Sequence, residues 1–568
     1  MTSLTVTSAI AGVSGYRVPR HPAPIDLDLT GTELPPLDPD TLAAALAAAA
    51  PEGWRYPSTS DAEASLATEF GIDAARVILG AGSDDLLERA FRCMITPGSE
   101  VILTDPTFEM LPRYAALNGA TVRSVAWPDG DLPLAALAEA VTPRTGLLAI
   151  VTPNNPTGTT ASTASLRELA RRNPGVLLVV DGAYAEFAAD DPLPELLDEP
   201  NVLITRTASK AWGMPGLRVG FGFGPEAIVA AMRRAGTPYP ISTPSLAATL
   251  SVRASSAAAM RTRVDDVRAT RRRLVACAEE LGLNPTRSEA NFICTATPRA
   301  AWLRDGLAGL GIGVRWLPGL PDRVRITCPL RDSDTRRLVA ALGSVISPEA
   351  LLLDMDGVIA DVSTSYRTAI IETAAQFGVL VSPEQISTRK ALGDANDDWA
   401  LTCELIRAGG REASLAAVTD AFETRYQGTV EAPGLRRSES LIGGRDLFAR
   451  LAERLPLAIV TGRPQADADR FLIEHDLADL FPVVIAREAG PLKPDPFPVQ
   501  EALRRLGISR AWMVGDTPDD LRAACTAGVV PIGIVAPGDT AGRTAPALSR
   551  AGAARVFTTL EDLLACLP

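Results

Sequence analysis

The chain has 568 residues, several times the span of one hydrophobic core. Hydrophobic residues supply 46% and charged residues 22%, an ordinary globular balance, and the lack of any apolar run of about 18 residues predicts no membrane span. A net charge of -13 argues against a general nucleic-acid binder, which needs a basic face.

The opening Met1-Thr-Ser-Leu-Thr lacks the basic and apolar regions of a secretory leader. The seven cysteines are scattered and form no CxxC pair. Both features predict a cytoplasmic protein with reduced thiols. With only His21 and His475 present, a histidine-ligated metal cluster is excluded. Of the 55 lysines plus arginines, three are lysine: Lys210, Lys390 and Lys493. Arginine carries positive charge almost everywhere else, so each lysine is a candidate for chemistry that a guanidinium cannot perform.

In chain order, the segment 42–50 predicts a helix. Short apolar runs at 76–79, 100–104, 147–152, 176–181 and 201–205 predict buried strands. Helical patterns at 84–94 and 163–172 lie between them. This alternation predicts an α/β sheet with ligands at the carboxyl ends of its strands. Residues 245–282 read as long helix leading to a smaller domain at about 283–343. After a linker at 344–349 a second block starts, with strands predicted at 351–354, 457–461, 483–486, 511–515 and 529–535. A helical insert is expected at about 361–441.

Several residues of the first block point to one chemistry. Thr207-Ala-Ser-Lys210 follows a strand, and Gly216-Leu-Arg218 places an arginine eight residues after the lysine. A lysine that forms an imine with an aldehyde cofactor needs phosphate ligands nearby, and these hydroxyls and this guanidinium suit that task. Asp181 ends a strand, where a carboxylate can hold a pyridinium nitrogen protonated. Asn154-Asn-Pro-Thr-Gly158 forms a turn after another strand. Gly80-Ala-Gly-Ser-Asp84 precedes a helix whose free N–H groups suit phosphate. Singly, such features are also plain turns and helix caps.

Together and in this order they resemble the fold-type I pyridoxal-phosphate aminotransferases, in particular the histidinol-phosphate aminotransferase group, over residues 15–343. The resemblance implies a large α/β sheet domain plus a small α+β domain, with pyridoxal 5'-phosphate held by Lys210. It assigns the pyridine nitrogen to Asp181 and the phenolic oxygen to Asn155 and Tyr184. The cofactor phosphate falls to Ser83, Asp84, Thr207, Ser209 and Arg218, and the ring face to Phe108. It implies that Tyr56 reaches the neighbouring subunit's site, and hence a homodimer. It gives Asn291, Arg315 and Arg325 to the substrate, with Arg325 gripping the glutamate carboxylate and Arg315 or Arg323 helping with a substrate phosphate. One departure stands out: where the family has Leu-Asn-x-Asn-Glu-x-Pro, this chain reads Leu29-Thr-Gly-Thr-Glu-Leu-Pro35.

In the second block, Asp354-Met-Asp356 places two carboxylates just beyond an apolar strand. One can attack a phosphoryl group while the other protonates the leaving oxygen. Thr461, Lys493 and Gly515-Asp516-Thr-Pro-Asp-Asp520 supply a hydroxyl, an ammonium and carboxylates suited to Mg²⁺.

This order resembles the haloacid dehalogenase superfamily over residues 350–568, a Rossmann-like domain with an α-helical cap. The resemblance makes Asp354 the nucleophile and Asp356 the acid/base, with Thr461 and Lys493 on the phosphoryl oxygens. Mg²⁺ falls to Asp354, the Asp356 carbonyl, Asp516 and Asp520. Lys390 receives no role, and the polar loop 393–399 reads as a pocket wall or a helix cap.

The two halves predict amination of a phosphorylated ketone by glutamate followed by dephosphorylation. The leading pair is imidazole-acetol phosphate to histidinol phosphate, then to histidinol. Dihydroxyacetone phosphate, a sugar phosphate, or a phosphothreonine decarboxylase joined to a phosphatase are the alternatives.

Overall fold

The computed structural model describes residues 8–13, 15, 19–393 and 395–568. The opening residues read above for a leader, and Asp394 of the polar loop, lie outside that set. The fold is α/β and separates into two compact units. Of the described residues, the first comprises those before 19, 29–298 and 315–335, and the second those within 19–28, 299–314 and 336–568. This division does not fall at the linker, because part of the predicted small domain belongs to the second unit.

The first unit is built on a seven-stranded sheet ordered Val77–Gly80, Gly220–Phe223, Val202–Thr207, Leu177–Asp181, Thr145–Val151, Glu100–Asp105, Thr121–Ala126. Only Gly220–Phe223 runs antiparallel to its neighbours. The central strands are apolar on both faces because helices cover both. The period-2 geometry sorts them: Leu148, Ile150, Leu178 and Val180 enter one core, and Leu147, Ala149, Leu177 and Val179 the other. A four-stranded antiparallel sheet, Arg315–Leu317, Leu320–Thr327, Phe292–Ala296 and Asn284–Pro285, completes this unit. The long helix expected over 245–282 is two helices, Thr243–Ser255 and Ala257–Glu280. Ser256 breaks it by leaving helical geometry while its N–H still bonds Val252 O.

The second unit holds a six-stranded all-parallel sheet ordered Val483–Ile485, Leu457–Val460, Ala350–Leu353, Ala511–Gly515, Val530–Ile534, Val556–Phe557. Its last strand is only two residues long, too short for an apolar pattern to reveal. The insert is a four-helix cap, Tyr366–Gln376, Pro383–Lys390, Asp398–Ala408 and Leu415–Gln427. The cap has its own core, including Ile370, Ile406, Val418 and Phe422. A two-stranded ribbon pairing Ala360–Asp361 with Ser440–Leu441 frames it.

Residues from well before the linker complete this unit. The Trp302 ring lies 4.4 Å from that of the fully buried Trp512, and the Trp512 indole N–H donates to Ser344 O at 2.9 Å. Arg555 Nε donates to Asp305 at 2.6 Å. A fragment starting at residue 347 loses these partners and bares Trp512. At about 25 cal/mol per Å², uncovering a tryptophan face costs on the order of several kcal/mol. Such a fragment is expected to unfold at a clearly lower urea concentration than the same unit in the whole chain, measured by tryptophan emission.

Candidate active sites

In the first unit, the expected residues converge at the carboxyl ends of the central strands. Lys210, just past Val202–Thr207, donates from Nζ to Thr32 Oγ1 at 2.7 Å. That hydroxyl is also 3.1 Å from the Tyr184 phenol, and the ammonium lies 5.4 Å from the Tyr184 ring centre. Asn291 Nδ2 donates to Thr32 O at 3.0 Å, so the segment with the two threonines is fixed against Lys210.

Asp181 is buried and accepts from Thr205 Oγ1 at 3.1 Å. Burial disfavours its charged form and pushes its pKa up to about 6, against the pull of Thr205. A cationic ring nitrogen placed against it relieves that cost. Arg325 donates to Asn155 Oδ1 and to Thr30 O, each at 2.6 Å. Arg315 donates to Glu109 at 3.1 Å.

A phosphate cradle lies beside them. The helix Ser83–Met94 begins after Gly82, whose φ of 82° suits glycine, and a Cβ there meets the Arg218 guanidinium at 2.6 Å. A Cβ on Gly220 meets the Ser83 nitrogen at 2.5 Å, so the strand must be bare to let this turn approach. Arg218 itself sits at φ 55°, an uncommon left-handed setting, and donates to Asp84 at 3.1 Å. Thr207 and Ser209 join by a 2.9 Å hydrogen bond. Free N–H groups, two hydroxyls and a guanidinium fit a phosphate ester, as pyridoxal phosphate requires.

Phe108, three residues past the strand Glu100–Asp105, packs in part against an apolar core of the sheet. Tyr56 is 79% exposed and stacks on Tyr239 at 4.3 Å.

In the second unit, Asp354, Thr461 and Asp516 each follow the last residue of a parallel strand. Lys493 Nζ donates to Asp354 at 2.8 Å and to Val460 O at 2.9 Å, and it lies 2.5 Å from Asp520. Carboxylate oxygens of Asp354, Asp516 and Asp520 lie within 4.8 Å of one another. Burial pushes the pKa values of Asp354 and Asp516 up, and the crowding of like charges adds to the rise. Three clustered carboxylates, two of them paired with Lys493, fit a hard divalent cation such as Mg²⁺. The Asp356 carboxylate lies outside this oxygen cluster and instead accepts from Arg463 Nε at 2.5 Å.

Arg463 was not legible in the sequence, because arginine is this chain's default cation. Its side chain is only 1% exposed, and it also donates to Glu439 at 2.9 Å and to the Tyr426 phenol at 3.3 Å. It therefore ties Asp356 to the cap helix Leu415–Gln427 and to the returning hinge. Arg463→Met strands the buried Glu439 charge, which typically costs about 3–5 kcal/mol, and frees Asp356 to rotate. Urea unfolding should show that loss, and ester hydrolysis should slow.

These arrangements define an enzyme of two parts: a cofactor-dependent group-transfer site built on a lysine, and a carboxylate site for phosphoryl chemistry. The chain belongs to the aminotransferase class I and II family, whose model matches residues 30–342, and residues 348–528 match the haloacid dehalogenase-like hydrolase family. It is 39% identical over 303 residues to a histidinol-phosphate aminotransferase of Ruegeria pomeroyi, covering 51% of this chain and 84% of that protein. It is 34% identical over 320 residues to an aromatic amino acid aminotransferase of Streptomyces avermitilis, covering 54% and 86%.

A 197-residue match at 48% identity links it to an imidazoleglycerol-phosphate dehydratase of Phytophthora nicotianae. This match covers 33% of this chain and spans less than half, 44%, of that protein. Among solved structures, histidinol-phosphate aminotransferase from Sinorhizobium meliloti in complex with pyridoxal-5'-phosphate aligns with a TM-score of 0.55 and 25% identity, over 61% of this chain and 98% of that one. The chain is thus an enzyme with transaminase and phosphatase activities, and its family implies pyridoxal phosphate.

Proposed function

We propose that this chain aminates a phosphorylated ketone with glutamate and then removes the phosphate from the amino product, most simply imidazole-acetol phosphate to histidinol phosphate to histidinol. The presence in one polypeptide of the Lys210–Asp181–Arg325 site and the Asp354–Lys493–Asp516 site carries this reading. The chain's likeness to histidinol-phosphate aminotransferases supports the substrate class.

Bound pyridoxal phosphate supplies an electron sink beside the substrate's carbon. Lys210 would hold it and serve as the base and acid for the proton at that carbon, and Asp181 would favour a protonated ring nitrogen. Asn155 and Tyr184 would face its phenolic oxygen and Phe108 its ring, and Ser83, Asp84, Thr207, Ser209 and Arg218 would hold its phosphate. Arg325 with Asn291 takes the glutamate carboxylate, and Arg315 the substrate phosphate. Exposed Tyr56 completes the site of a second copy in a homodimer.

In the other half, Asp354 attacks phosphorus and Asp356 protonates the leaving oxygen, then activates water. Thr461 and Lys493 steady the phosphoryl oxygens. Asp354, Asp516, Asp520 and the Asp356 carbonyl would hold Mg²⁺.

One observation favours a second substrate. Thr32, where the family has asparagine, touches Lys210, so the wall over the substrate differs. Dihydroxyacetone phosphate or a sugar keto phosphate is the next candidate. The test is a panel of keto phosphates with glutamate, assayed for 2-oxoglutarate, phosphate and CO₂. Formation of 2-oxoglutarate and phosphate with imidazole-acetol phosphate bears the reading out. CO₂ release from phosphothreonine without 2-oxoglutarate overturns it.

A further inference from the structure

The third of the chain's three lysines has no part in the mechanism above. Lys390 ends the cap helix Pro383–Lys390, and its Nζ pairs with Asp398 at 2.9 Å. Both line a cavity shared with Asp354, Asp356, Asn396 and Asp516. Burial disfavours the Lys390 ammonium, yet Asp398, with Asp516 and Asp356 beyond it, outweighs burial and keeps it charged.

The loop between the two residues is tied to the catalytic floor. Asn396 donates to Lys493 O at 3.2 Å and accepts from Thr517 at 3.3 Å, and Ala395 N donates to Asp519 at 3.1 Å. Lys390 is thus held over the site rather than swinging in solvent. An ammonium carries three N–H donors, so Lys390 can face a phosphoryl oxygen while it stays ion-paired with Asp398. A plain cap charge could be arginine, as almost every other cation in this chain is. A compact ammonium is what fits above a phosphoryl group already faced by Lys493.

We propose that Lys390, oriented by Asp398, is a cap-borne receptor for the phosphoryl oxygens of the bound phosphomonoester. Lys493 faces the ester from the floor beside Asp354 and Asp520, and Arg367, a second cap cation lining the cavity, is paired with Asp539 at 2.6 Å. Lys390 supplies an ammonium on the cap side. The proposal rests on the phosphatase reading, and direct anion binding separates the two.

In the full chain with Mg²⁺, Lys390→Met is expected to weaken orthophosphate binding by calorimetry at least tenfold. It should raise KM for p-nitrophenyl phosphate by a similar factor, with kcat and transamination within about threefold of wild type. Asp398→Asn should shift KM in the same direction by less, and Lys390→Arg should restore part of the binding. Orthophosphate binding weakened in Lys390→Met supports the receptor even if no ester is hydrolysed, an outcome that would overturn the phosphatase reading alone. Unchanged orthophosphate affinity and KM in folded Lys390→Met, with only a lowered unfolding midpoint, overturns the receptor and leaves a structural ion pair.

Discussion

Asp354→Asn is expected to end phosphate release altogether while glutamate-dependent transamination continues at the wild-type rate. An amide nitrogen is no nucleophile toward phosphorus, and the substitution also removes a charge from the cluster that Lys493 and Asp516 share. Asp356→Asn leaves that cluster whole and removes the proton donor. General acid/base help is worth about 10²–10⁴-fold, so this variant should be slow rather than dead. It should suffer most with poor leaving groups: alkyl phosphates fall by the full factor, and p-nitrophenyl phosphate by much less. Burst and steady-state phosphate release, run beside 2-oxoglutarate formation, measures both variants. Full hydrolysis by Asp354→Asn would rule out covalent attack by this residue.

Lys210→Ala should have the mirror effect, with transamination lost by more than about 10³-fold and p-nitrophenyl phosphate hydrolysis intact. Its side chain is the one amine bridging Thr32 and the Tyr184 face, and no other lysine lines this site. Lys210→Arg should fail equally, since a guanidinium neither gives up its proton nor condenses with an aldehyde. Visible absorbance after addition of pyridoxal phosphate gives a readout independent of turnover. Normal transamination by the arginine variant would remove Lys210 from the chemistry.

Much of this was legible because strand ends announce themselves. Asp181, Asp354 and Asp516 each close or follow an apolar run, and period-2 burial places that end at the sheet's carboxyl edge. Scarcity was a second signal: it marked Lys210 and Lys493 as site residues, while Lys390, given no role, lines the cavity of Asp354 and Lys493. Arg463 carried no such mark, because its meaning lies in Glu439 and Asp356, which only the folded hinge brings together. The break at Ser256 was invisible because one serine in an Ala- and Arg-rich run alters helix propensity only slightly.

The make-up of the second compact unit bears on the order in which the protein can be made. His21 donates to Ala554 O across 533 residues, and Leu27–Asp28 pairs with Ile312–Gly313 in the same unit. On the ribosome, residues 19–28 emerge more than 500 residues before their partner near residue 554. Closing so long a loop comes late, since its entropy must be met before the contact repays it. Until then Trp302 and the helix that bears it wait without Trp512, exposing apolar surface to chaperones or to neighbouring chains. The segments around Trp512 and Ala554 therefore act as the seal on segments translated long before them.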